Sequence, residues 1–172
     1  MPARRPRAMP RGYAVAGTAV GAVAAVVVTA ASPAQAAPRP WTGQYSMVTY
    51  ASQKGGTSVA ARQSEADFGA VFVVSTSCSG GTCVATTHGP ASSNPTVPNP
   101  LRYNWDGQQW KATYDWVWQC AADSPESQWS PARSFTYYAP HSDGTLRGMW
   151  HTDIASGACR GSVVMPVAAI PA

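Results

Sequence analysis

The sequence has 172 residues, of which 12% are charged, with 15 Gly, 15 Pro, 4 Cys and 7 Trp and a formal net charge of +4. The excess charge is confined to the start, in Arg4, Arg5, Arg7 and Arg11; beyond residue 36 the Lys and Arg residues are balanced by Asp and Glu. A neutral remainder with no basic cluster has nothing to displace counterions from a phosphate backbone, which excludes nucleic acid as a partner.

The four arginines precede an uncharged run of Ala, Val, Gly and Thr over residues 14–31, followed by Ala34-Gln35-Ala36. A basic start, an apolar middle and small residues at the cut form a secretory signal. The alternative is an uncleaved anchor, since about eighteen apolar residues approach the shortest bilayer span. Pro33, Pro38 and Pro40 stop the helix such an anchor needs. The expected organisation is a cleavable signal peptide at 1–36 and a single secreted β domain at 37–172. No membrane span remains after cleavage, and the length is enough for one core.

Period-two alternation then dominates. Trp41, Gly43, Tyr45 and Met47 alternate with Thr42, Gln44, Ser46 and Val48, predicting a first strand that ends near Lys54. Ser64 with Asp67 predicts a capped helical turn. Residues 71–78 and 83–87 predict a hairpin around Ser79-Gly80-Gly81-Thr82, whose glycines supply positive φ.

The four cysteines of this exported chain read as two disulfides in place of a zinc site. Three pairings are open, and the hairpin favours Cys78–Cys83. Cys120–Cys159 follows by elimination.

The proline-rich stretch 89–100 cannot enter a sheet interior; it is a connector or a lid over the surface. Asp106-Gly107 predicts a two-residue turn that pairs Trp105 with Gln108, Tyr103 with Trp110 and Leu101 with Ala112. Beyond it, Trp110, Ala112, Tyr114, Trp116, Trp118 and Cys120 share one face, with Lys111, Thr113, Asp115, Val117 and Gln119 on the other. The aromatic face belongs inside, as solid core or as the wall of a small lumen.

Asp143-Gly144 predicts another hairpin. A two-residue loop there would pair Ser134 with Asp153, Phe135 with Thr152, Thr136 with His151 and Tyr137 with Trp150. A longer loop would move these partners but keep Leu146, Gly148 and Trp150 opposite Arg147, Met149, His151 and Asp153. Residues 161–167 supply a last strand. The expected class is all-β: a small antiparallel up-and-down β-barrel or sandwich of about eight strands with two disulfides.

Candidates for catalysis are few. Ser134, His151 and Asp153 would share a face under the two-residue loop, but a flat strand face offers neither a strained nucleophile turn nor oxyanion donors. His88 and His141 sit beside turns and are expected to be exposed. Asp115 and Asp123 with Glu126 are candidates for a glycosidase-like pair only because acids are few, and Asp106 and Asp143 have turn duties. No residue is assigned a catalytic, cofactor-binding or metal role, and no cofactor is expected.

Several motifs carry a resemblance: Ser77-Cys78, Cys83-Val84-Ala85-Thr86, Tyr103-Asn104-Trp105-Asp106-Gly107, Trp116 to Cys120, and Asp143-Gly144-Thr145-Leu146-Arg147-Gly148. Together they resemble a family of small exported actinobacterial, chiefly mycobacterial, proteins. The resemblance implies export and fold and carries over no catalytic residues. The expected function is a secreted non-catalytic β domain in the cell envelope or outside the cell, binding a partner there or a small apolar ligand. The alternatives are an envelope-directed hydrolase using His151 and Asp153, or an exported inhibitor acting through the 89–100 loop.

Overall fold

The computed structural model describes residues 40–120 and 128–172. The expected export signal at 1–36, and Asp123 and Glu126, lie outside the described residues. The alternating stretches become eight antiparallel strands: β1 (Gly43–Thr49), β2 (Phe68–Ser79), β3 (Thr82–His88), β4 (Leu101–Trp105), β5 (Trp110–Cys120), β6 (Gln128–Pro140), β7 (Leu146–Ile154) and β8 (Gly161–Pro171). Each pairs with its neighbours in sequence, and β1 also pairs with β8, so the sheet closes into an up-and-down barrel and not a sandwich. Closure removes the free sheet edges that would invite aggregation.

β1 is shorter than the alternation suggests. Trp41 lies before it, and the chain leaves it at Tyr50 for two 3₁₀ turns, Ala51–Gln53 and Val59–Arg62. The predicted cap at Ser64 is corrected to Ser58. The Ser58 hydroxyl accepts the Ala60 N–H at 3.1 Å and donates to the Cys159 carbonyl at 2.7 Å. Asp67 instead accepts the Ser52 amide at 2.9 Å.

Both disulfides are present, Cys78–Cys83 and Cys120–Cys159. The first joins directly opposed residues of β2 and β3, across a turn in which Gly80 and Gly81 have φ of 58° and 81°. No side-chain-bearing residue adopts two such angles in succession cheaply. By loop-closure entropy the short bridge contributes about 2 kcal/mol and the longer one about 4 kcal/mol.

Two predicted registers are corrected. Trp105 pairs with Trp110 and Asn104 with Lys111, so the β4–β5 loop has four residues. Asp106 causes this: its carboxylate accepts the Gln108 and Gln109 amides at 2.9 and 2.8 Å, and its own N–H reaches the Gln109 carbonyl. Burial opposes the charge on Asp106, but hydrogen bonds from Lys111 and those amides outweigh it and hold the carboxyl down at about 2. A two-residue shift leaves the faces unchanged.

The β6–β7 hairpin moves by one. Ser134 pairs with Thr152, Phe135 with His151 and Thr136 with Trp150, because residues 141–145 form a five-residue loop. The loop is held by the His141 amide on the Thr145 carbonyl, by the Thr145 amide on Asp143, and by the Asp143–Arg147 ion pair at 2.8 Å. The two-residue loop would have set the buried even-numbered positions of β6 against the outward odd-numbered positions of β7. The observed loop aligns even with even, so both inner faces enter one core.

The core has two parts. At the end bearing the β2–β3, β4–β5 and β6–β7 turns, Trp41 folds into the barrel and stops it, packed on Tyr103 and Tyr138 at ring-centroid distances of 5.1 and 5.0 Å. At the other end Ala51, Ala60 and Ala61 close over Cys120–Cys159, Ile154, Val163 and Met165. This second closure covers only the β5–β8 side.

Candidate functional site

Between the plug and the 3₁₀ turns the barrel is hollow. A cavity of about 650 Å³ is lined by the predicted aromatic row of β5, Tyr114, Trp116 and Trp118, together with Phe68, Phe72 and Trp150. Its size falls within the range of about 300–1,000 Å³ typical of small-molecule sites. An eight-stranded barrel is just wide enough to hold one such ligand.

Room for it comes from β6. Its inward residues are small, Ser130, Ala132, Ser134 and Thr136, while Trp129 and Phe135 point outward and are exposed. The rings of β5 and β7 lean over this strip of small residues. Trp116 and Trp150 both donate their indole N–H to Ser134 Oγ, at 2.8 and 3.0 Å. An indole only donates, so both acceptor positions of Ser134 are filled and its own proton is directed to Thr152 Oγ1 at 2.8 Å. Ser134 and Thr152 are fully buried, and the Tyr114 hydroxyl reaches the same cluster. Burial raises the pKa of Tyr114, and it raises those of Tyr103 and Tyr138 further, so these lining groups are neutral at physiological pH.

The cavity opens beside β2, β3 and β4, where the 89–100 loop lies across it. The β4–β5 ladder stops after two residue pairs, leaving β5 from Ala112 onward without a strand partner on that side. The loop takes the place of β4. Asn94 Nδ2 donates to the Val117 carbonyl at 2.8 Å, and the Val117 amide donates to Thr96 Oγ1 at 3.0 Å. The Asn94 carboxamide oxygen in turn accepts the Thr96 hydroxyl and amide, at 2.6 and 3.0 Å. Pro90, Asn94, Val97, Pro98 and Asn99 of the loop line the cavity, and the Asn99–Pro100 bond is cis. The loop starts at Gly89, where a Cβ would come within 2.3 Å of the Phe72 ring. Across the opening, Glu65 stands at the rim and pairs with Lys54 at 2.6 Å.

The catalytic candidates are not brought together. The register places the Ser134 hydroxyl inside the barrel, whereas His151 and Asp153 lie outside it, bonded to each other at 2.9 Å. The sheet itself separates nucleophile from base. Asp115 is also outside, 3.7 Å from Arg133, with no access to the lumen. His88 and His141 are exposed, as expected.

Sequence reasoning missed Glu65, Phe68 and Phe72 at the opening and the joining of Trp150 to the β5 row. The alternation of Phe68, Ala70, Phe72 and Val74 held the signal for the two phenylalanines. Nothing local in the sequence marked Glu65.

Removing the Ser134 hydroxyl would leave two indole donors unpaired. Ser134→Ala is expected to lose about 2–4 kcal/mol of stability in urea unfolding, while Thr113→Ala on the outer face stays within about 0.5 kcal/mol. A loss below about 1 kcal/mol for Ser134→Ala would mean that the indoles do not depend on it.

The sequence matches no protein-family model and no curated protein. Among solved structures it is similar to the monomer form of the M. tuberculosis PknI sensor domain, with a TM-score of 0.59 and 18% identity, covering 79% of this chain and 90% of that one. The dimer form of the same domain gives a TM-score of 0.46 and 18% identity, over 59% and 69% of the two chains. At this identity the likeness to the monomer form is one of fold.

Proposed function

We propose that residues 37–172 form an exported, non-catalytic β-barrel that binds a small apolar ligand in its lumen, in the cell envelope or outside the cell. The observation that carries this reading is the aromatic-lined cavity of about 650 Å³ beneath a loop fastened to β5. Two disulfides support an oxidising compartment. Residues 1–36 act as the export signal and are removed after Ala36. The shared fold with the PknI sensor domain supports a sensing or carrier role by analogy of fold alone. The inhibitor alternative is less well supported, because the 89–100 loop turns Val97 toward the lumen and commits the Asn94 and Thr96 side chains to Val117 of β5. The hydrolase alternative lacks a base near the buried hydroxyl.

Mass spectrometry of the secreted protein is expected to show a chain starting at Ala37; retention of residues 1–36 would contradict the export reading. The neutral fluorophore N-phenyl-1-naphthylamine is expected to bind one molecule per barrel, with energy transfer from the lumen tryptophans. Trp118→Ala should weaken that binding roughly tenfold through the lost ring contacts, whereas Val73→Ala, on the outer face of β2, should leave it unchanged. Equal binding by both variants would place the probe outside the lumen.

A further inference from the structure

We infer that the lumen discriminates by head-group charge, accepting uncharged and cationic amphiphiles and rejecting fatty carboxylates. The inference rests on the lumen being an apolar-ligand site and names the class of ligand.

No Lys, Arg or His is found among the described residues that line the cavity. Among the same described residues the single carboxylate is Glu65, at the opening, with a side chain 46% exposed. The cation closest to it in the structure, Lys54, is already engaged: its side chain is 7% exposed and its ammonium is 2.6 Å from Glu65. An anionic head group held at this opening would therefore meet the Glu65 carboxylate and no cation among the described lining residues. Deeper in, the Ser134 hydroxyl is saturated by the two indoles and Thr152, and the tyrosines are neutral, so no charged group awaits a carboxylate there either. Bringing an ionised carboxylate out of water without a partner is unfavourable.

A cationic head meets the opposite situation. Glu65 is the exposed partner of its pair with Lys54 and turns its remaining acceptor positions to such a head, and Phe68, Trp118 and Trp150 present aromatic rings to the cavity, whose faces carry negative charge density. A hydroxyl head needs neither and is tolerated.

The test uses three probes with the same twelve-carbon chain, dodecanol, dodecyltrimethylammonium and dodecanoate, each displacing N-phenyl-1-naphthylamine from the mature protein at neutral pH. The alcohol and the ammonium are expected to displace it, with dodecanoate weaker by about tenfold, the effect of one like charge at close range. Glu65→Gln removes the repelling carboxylate and frees the Lys54 ammonium. It should strengthen dodecanoate and weaken the ammonium, each measured relative to dodecanol on the same variant. Dodecanoate binding as tightly as dodecanol to the unmodified protein would overturn the charge selection while leaving the lumen reading intact. Failure of all three probes would contradict the lumen reading itself, and this inference with it.

Discussion

Two indole N–H groups from different strands meet on one serine hydroxyl of the strand between them, and the rest of the barrel is arranged around that meeting. Ser134 sits at the centre of β6, Trp116 reaches it from β5 and Trp150 from β7. A shift of either neighbouring strand by one residue would turn an indole outward and leave a buried donor or acceptor unpaired. The interaction therefore fixes register on both sides of β6 as well as satisfying polar atoms. It also anchors the rings by their edges, so their faces border the cavity instead of collapsing into it.

Hollowness follows from the same strand. Most barrels of this size fill their interior with side chains, and the plugged end of this one does, with Trp41 among Tyr103, Trp110 and Tyr138. In the middle, β6 contributes only Ser, Ala and Thr to the interior, and the tryptophans of β5 and β7 cannot fill the space left over. The shortness of β4 opens the wall on the far side, and the 89–100 loop closes it with side-chain hydrogen bonds to Val117 where a full strand would have used its backbone.

The β5 face, the glycine turn between Cys78 and Cys83, and the inward set of β7 were all legible in the sequence, because each depends on alternation or turn chemistry within a few residues. The partners across β6 and β7 were not. The inner face of β6 is the polar one and its outer face holds Trp129, Phe135 and Tyr137, the reverse of the usual guide to which side is buried. An Asp-Gly pair also suggests the shortest turn, whereas Asp143 and Asp106 use their carboxylates to organise longer ones. Trp41 looked like the first residue of a strand; its role as a stopper arises from contacts with β4, β5 and β6, far along the chain. Glu65 reaches the opening only because two 3₁₀ turns bring the β1–β2 connection under the barrel, a path with no local signal beyond a capping serine.

The claim that the lumen, and not the plug or the outer surface, receives an apolar molecule can be tested by following the seven indole N–H resonances of the ¹⁵N-labelled mature protein during titration with dodecanol. Trp116, Trp118 and Trp150 are expected to shift with saturation while Trp41, Trp105 and Trp110 in the plug and Trp129 outside remain in place. Shifts confined to Trp129, or no indole shift at a saturating concentration of the alcohol, would contradict it.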